Sequence, residues 1–242
     1  MQDTDRPAEA EPLLRRALAI DEASFGPDHL AVARDLNNLA RLLQDTNRLA
    51  DAELLLRRAL AIAEASLGTD HPTVALSLNN LALLLQDTNR PAEAEPLMRR
   101  ALAIAEASLD SDHPSVGRQL NNLGRLLKDL HRMAEAEPLL RRALAIAGAS
   151  FGPDHPTVGI RLNNLARLLQ ATHRLAEAEP LMRRALAILL RAQFVTGHTL
   201  PDTEKFERNY RLLLREMKWP TAQIDAHVAA MQREATGEAD SR

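Results

Sequence analysis

The groups in this chain that could recognise another molecule recur at one spacing. Asn37, Asn79, Asn121 and Asn163 each follow the first leucine of a Leu-Asn-Asn-Leu run, at Leu36, Leu78, Leu120 and Leu162, always 42 residues apart. A carboxamide donates and accepts hydrogen bonds, so a row of them suits a peptide main chain without reading its side chains. Residues two before and five and eight after each leucine share the face away from the apolar stripe. They are Arg34, Arg41 and Gln44, then Leu76, Leu83 and Gln86, then Arg118, Arg125 and Lys128, then Ile160, Arg167 and Gln170. Stacking the units would align these positions as four ladders on one surface. Basic side chains occupy six of the places and acidic ones none, while Asp45, Asp87 and Asp129 flank the edge and Leu76, Leu83 and Ile160 offer an apolar patch. The chemistry this predicts is non-covalent capture of acidic, partly apolar segments. On a helical wheel the first Asn of each pair faces outward and is expected to meet the ligand. The second, Asn38, Asn80, Asn122 or Asn164, is expected to tie adjacent helices by side-chain hydrogen bonds.

Covalent chemistry is not expected. The chain has no cysteine, which excludes thiol nucleophiles, disulfides and thiolate metal sites. His29, His71, His113 and His155 also fall 42 residues apart, one per loop, with no second ligand at helical spacing, so they read as loop structure and no metal or cofactor is expected. Gly-x-Ser-x-Gly, His-Glu-x-x-His and glycine-rich phosphate-loop patterns are absent from the sequence, so the chain does not read as an enzyme. Nucleic acid is not the expected partner either, because aromatics make up only 2% of the residues and net charge is -3. The longest apolar runs, such as Ala185 to Leu190, are far too short to span a membrane, and Asp3 and Asp5 argue against a secretion signal. A cytoplasmic location is the expectation.

The elements that must carry the ladders are helices. Apolar residues are 45% of the chain and mostly Leu and Ala, a composition for helices packed through aliphatic side chains. Each unit starts at Asp-His-Pro, or Asp28-His29-Leu30 in the first, where Pro suits a first helical turn and Asp can cap free amides. Val74, Leu78, Leu81, Ala82 and Leu85 then form one stripe of 3.6-residue period. Asn47, Asn89, His131 and His173 sit at turns suited to left-handed backbone. A second helix follows, with Ala94, Met98, Ala101, Leu102 and Ala105 packed and Pro96 expected to remove a hydrogen bond and bend it. Glu53/Arg57, Glu95/Arg99, Glu137/Arg141 and Glu179/Arg183 are spaced for ion pairs on a solvated outer face.

Residues 1–27 align with a second helix, so the chain opens in mid-repeat, whether as a natural start or as a fragment. Repeats follow over 28–69, 70–111, 112–153 and 154–195, then a degenerate capping helix pair over 196–234 and a flexible tail over 235–242. Ala8 to Ile20 is identical to Ala134 to Ile146, and Ala92 to Ile104 to Ala176 to Ile188, the mark of internal duplication. The preference for Arg over Lys fits a GC-rich bacterial source.

Leu36-x2-Leu39-Ala40-x2-Leu43 followed by Ala52-x3-Leu56 resembles the tetratricopeptide pattern of large and small residues over roughly residues 2 to 190. The 42-residue period, the Leu-Asn-Asn-Leu-Ala run and the Ala-Glu-Ala-Glu-Pro-Leu and Arg-Arg-Ala-Leu-Ala-Ile segments look like the kinesin light chain type, with aliphatic residues where that family usually has aromatics. The resemblance implies an all-α fold, a right-handed α-solenoid of stacked antiparallel helix pairs whose first helices line a concave groove. It further implies a scaffold or adaptor that binds extended peptides of partner proteins. The alternative is a self-association unit, in which Leu13, Leu14, Leu18 and Ile20 of the first helix dock on another chain, giving a homo-oligomer.

Overall fold

The computed structural model describes residues 5–198, 200 and 202–236, with side chains from residue 9 onward. The described residues form helices and no strand, in two compact units, residues 1–111 and 112–242. The first unit holds α1 (Asp5–Phe25), α2 (Leu30–Asp45), α3 (Leu49–Leu67), α4 (Pro72–Asp87) and α5 (Pro91–Ser108). The second holds α6 (Pro114–Asp129), α7 (Met133–Phe151), α8 (Pro156–Ala171), α9 (Leu175–Thr196), α10 (Thr203–Glu216) and α11 (Thr221–Thr236). In each unit a first helix packs most extensively on the second helix that follows it, α2 on α3 and α4 on α5, then α6 on α7 and α8 on α9. Second helices also pack on the next first helix, α1 on α2, α3 on α4, α7 on α8 and α9 on α10.

The apolar stripes build this stacking. Val74, Leu78, Leu81, Ala82 and Leu85 are all buried, as are Ala94, Met98, Ala101, Leu102 and Ala105. Each leucine fully removed from water is worth about 1.5–3 kcal/mol, and the interleaved alanines let the helix backbones approach. Between α2 and α3 the core is Val32, Ala33, Leu36, Ala59 and Ile62, with Leu18 of α1 packed against it. Pro96 sits on the exposed side of α5, and the helix runs through it from Pro91 to Ser108. The same position in α3 is Leu54, also exposed, so neither side chain meets the core.

The turns obey backbone sterics. Asn47, Asn89, His131 and His173 all adopt φ of 59°, the left-handed conformation expected of them. The start signal works differently from the expectation. His, not Asp, is the N-cap: Nδ1 of His29, His71, His113 and His155 accepts from the amide two residues on, at 3.2, 3.2, 3.1 and 3.1 Å. The cap residue must be extended and present an acceptor to the free amides of the first turn, and the imidazole does this when its other nitrogen carries the proton. Replacing His113 with Ala is expected to cost about 0.5–2 kcal/mol, as loss of other side-chain caps does. Asn at the same place should retain most of that stability, and urea melts of the two variants measure the difference.

The expected capping pair is helical. Phe206, Tyr210, Leu213 and Leu214 of α10 and Ile224, Val228 and Met231 of α11 are buried, both helices packing on α9. Helix α11 extends to Thr236, past the expected start of the tail, and residues 237–242 lie outside the described residues. No helix among the described residues is long and apolar enough to cross a membrane.

Candidate functional site

The ladder positions fall on the first helices, α2 and α4 in one unit and α6 and α8 in the other. The 3.6-residue period puts Arg34, Arg41, Arg118, Arg125 and Arg167 in solvent, with Gln44, Gln86, Lys128, Gln170, Leu83 and Ile160 half-buried. Leu76 is 42% exposed, a large apolar side chain in the open. In the first unit these residues border a cavity of about 430 Å³ between α2 and α4, lined among others by Arg34, Asn37, Asn38, Leu76 and Asn80. Another cavity, of about 520 Å³, lies between α9 and α11 and shares no residue with the ladders.

Second asparagines tie helices as expected, at Asn80 and Asn164, whereas the first asparagines are their acceptors and not outward groups. The first of each pair goes inward: Asn79, Asn121 and Asn163 are 5, 2 and 3% exposed, and Asn37 is half-buried. The second is the more open, with Asn38 and Asn80 exposed and Asn164 half-buried. Hydrogen bonds explain the arrangement. Asn80 Nδ2 donates to Asn37 Oδ1 at 3.4 Å, Asn164 Nδ2 to Asn121 Oδ1 at 2.8 Å, and Asn209 Nδ2 of α10 to Asn163 Oδ1 at 3.1 Å. Asn80 and Asn164, and Asn209 in α10, thus tie their helices back to the preceding first helix, and the acceptor is the first Asn there. A buried carboxamide keeps its place only when paired. The outward wheel position expected for the first Asn is corrected by this contact, which a single helix cannot reveal.

The cations divide as sharply. Arg34 stands 3.4 Å from both Asp21 and Asp35, and Lys128 pairs with Asp129 at 2.5 Å. Gln170 donates to Glu216 at 2.8 Å. Arg41, Arg118, Arg125 and Arg167 make no hydrogen bond or ion pair with any described residue. Sequence reasoning missed Arg161 of α8, which is half-buried with its Nε sealed from solvent and unpartnered. Its signal was available as a departure from the repeat, since the equivalent places hold Asp35, Ser77 and Gln119.

On the second helices the ion pairs form, Glu53/Arg57 and Glu137/Arg141 each at 2.7 Å, Glu95/Arg99 at 2.9 Å and Glu179/Arg183 at 3.8 Å. The face is more than solvated surface, however. Turn arginines reach back across the stack, Arg48 to Glu11 at 2.8 Å, Arg90 to Glu53 at 2.6 Å and Arg174 to Glu137 at 2.7 Å. Burial works to raise the Glu53 carboxyl, and the hydrogen bonds from Arg90 and Arg57 outweigh it, holding the group below its ordinary range. These arginines are committed to structure, unlike Arg41, Arg118, Arg125 and Arg167 of the first helices. Among the described residues no three His, Cys, Asp or Glu side chains gather as a metal site.

A family model described as tetratricopeptide repeat matches residues 1–65, 48–107 and 115–191. A search of curated proteins found no match. Among solved structures, a kinesin light chain-like protein of Podospora anserina with nearly identical tetratricopeptide-like repeats is 29% identical, with 79% of this chain and 91% of that one covered and a TM-score of 0.64. BtubC (BKLC) from P. vanneervenii is 23% identical over 100% of this chain and 95% of its own, with a TM-score of 0.75, a likeness of fold. Pseudomonas aeruginosa pilF is 21% identical over 93% of this chain and 90% of its own, with a TM-score of 0.53.

Proposed function

The chain belongs to the tetratricopeptide repeat family, with repeats of the kinesin light chain type, and on that premise we propose that it binds extended acidic peptides along the first-helix faces. Tetratricopeptide repeats commonly mediate protein–protein interaction, typically as non-enzymatic scaffolds. The observation that carries the finer reading is the set of unpaired first-helix cations, Arg41, Arg118, Arg125 and Arg167, in a protein where Arg57, Arg58, Arg99, Arg100 and Arg141 of the second helices pair with carboxylates. An unpaired guanidinium keeps five donors free for an incoming carboxylate. Leu76, Leu83 and Ile160 supply the apolar part of the contact, and Gln44, Gln86 and Gln170 its polar margin. Asn37, half-buried at the first unit's cavity, stays within the surface offered to a ligand, while Asn79, Asn121 and Asn163 order that surface from beneath. Arg34 and Lys128 join the contact by exchanging their present carboxylate partners for the peptide's.

Fluorescence anisotropy with pools of labelled extended peptides, acidic, neutral or basic, tests this reading. The acidic pool should bind with an affinity that falls as salt rises, and the double variant Arg118→Ala, Arg125→Ala should weaken it about ten-fold, near 1.4 kcal/mol. Equal binding of the basic pool, or a double variant that binds unchanged, would refute it.

One observation favours self-association as a second reading. The identical thirteen-residue segments of α1 and α7 are buried differently: Ile146 is 3% exposed, whereas its counterpart Ile20 is 53% exposed and Leu13 67%. Helix α7 has α6 against that face, whereas among the described residues α1 packs on α2 with Ile20 left in solvent. A second copy docking there would raise the mass seen by light scattering as concentration rises, and a constant monomer mass excludes it.

A further inference from the structure

Arg161 places a cation where the other repeats bury Asp35, Ser77 or Gln119. Its Nε is sealed from solvent with no partner, and it makes no ion pair with any described residue. The stacking register brings it against α6. Asn164 donates to Asn121, 43 residues earlier, and Arg161, one turn before Asn164, stands at the same offset from Arg118. Arg125 lies one turn beyond Asn121 on the same helix. Arg118 and Arg125 are exposed and equally without partners among the described residues. Burial first, then the charges of Arg125 and Arg118, pushes the Arg161 guanidinium down to about 10, which still leaves it charged at neutral pH.

Three guanidiniums gathered without an acid, one of them partly desolvated, form an arrangement that costs stability until an anion arrives. A single carboxylate brings one negative charge and two oxygens. A phosphoryl group brings a charge of about -1.5 to -2 and three acceptor oxygens, a closer match to three forked donors. We propose that Arg118, Arg125 and Arg161 form a site for the phosphoryl group of a phosphorylated side chain, so that unit 2 reads phosphorylation of its peptide partner. This rests on the peptide-binding reading and assigns its acidic preference one position and one chemistry. Ile160 and Asn164, beside Arg161 on α8, supply contacts for the flanking peptide. None of the described aromatic ring contacts involves these arginines, which favours a peptide over a nucleic acid that would need rings for base stacking.

The test uses the full chain and labelled degenerate peptide pools that differ only at a central phosphoserine, glutamate or serine, with inorganic phosphate followed by NMR at the arginine Nε–H signals. The phosphoserine pool should bind at least ten-fold tighter than the glutamate pool. Arg161→Gln should abolish that preference while leaving glutamate-pool affinity within about two-fold. Gln already occupies this repeat position at 119, so the fold accommodates it, and the variant should melt at a higher temperature in phosphate-free buffer because an unpaired, partly desolvated charge is gone. Arg118→Gln, at an exposed position, should also lose the preference. Inorganic phosphate should shift the Arg161 Nε–H signal saturably. Equal affinity for phosphoserine and glutamate pools, or a preference that survives in both variants, overturns the site while leaving peptide binding intact. If no acidic pool binds, the peptide reading fails, and the phosphate titration decides the site alone: a saturable shift supports it and none overturns it. An oligonucleotide that displaces the phosphoserine pool at equal phosphate concentration identifies a general polyanion surface and overturns the proposal.

Discussion

Replacing Asn121 with alanine should destabilise unit 2 by about 1–3 kcal/mol, the cost of leaving a buried polar partner unsatisfied. Asn121 is 2% exposed, its Oδ1 accepts from Asn164 at 2.8 Å and its Nδ2 donates to Asn122 at 3.3 Å. Removing it strands the Asn164 amide between α6 and α8. For a chain of this size each kcal/mol lowers the melting temperature by roughly 2–4 °C, a shift that thermal melts followed by circular dichroism resolve easily. A double-mutant cycle with Asn164→Ala isolates the pair, and the coupling should account for most of the single-variant loss. Peptide affinity, measured well below the melting point, should change little. The opposite result, full stability with lost binding, would return Asn121 to the ligand-facing role its wheel position suggests.

The largest effect is expected at Tyr210, the fully buried anchor of the C-terminal helix pair. Its hydroxyl donates to Glu179 of α9 at 2.7 Å and lies 3.0 Å from Nε2 of His227 in α11, so one side chain joins three helices. Trp219 stands edge-on to the same imidazole, with ring centroids 5.6 Å apart. Burial and then the Glu179 hydrogen bond raise the phenol well above its ordinary range, so it remains a protonated donor across neutral and alkaline pH. Tyr210→Ala should cost about 3–5 kcal/mol, as other buried aromatic truncations do. Tyr210→Phe, which keeps the ring, should cost about 1–3 kcal/mol for the stranded carboxylate and imidazole. Because stacked repeats behave as nearest-neighbour arrays, hydrogen exchange should show protection lost first in α10 and α11 and retained in α2 and α4. Uniform loss over the whole chain would show that the cap is not a local element.

The inward turn of the first asparagines shows where sequence reading stops. A wheel orders residues around one helix, and Asn37 and Asn38 differ there by about 100°. Which of them is sandwiched depends on how the next first helix is staggered, a quantity set by the packing of Leu and Ala side chains from both helices. The histidine caps stop at a similar boundary. Asp and His stand side by side before the proline, and only the extended backbone of His29, His71, His113 and His155 aims the imidazole at the amide two residues on. Glu53 read as half of an outer-face pair because Arg57 is four residues away, whereas Arg90, 37 residues later, reaches it across the stack.

By itself the sequence determined the period, the helices and the turns, because those depend on interactions within a few residues: apolar spacing at 3.6, proline at a first turn, asparagine in a left-handed bend. Helical phase also placed Arg41, Arg118, Arg125 and Arg167 in solvent, as observed, but it placed Asn79, Asn121 and Asn163 there too, and these are buried. The tertiary structure alone decided what each of those positions meets. Within identical thirteen-residue segments Ile20 of α1 is exposed and Ile146 of α7 is buried, and Arg161 has no partner where neighbouring repeats bury neutral or acidic side chains. Burial and pairing belong to the surfaces brought against a residue by the packing of other helices, and those surfaces lie tens of residues away along the chain.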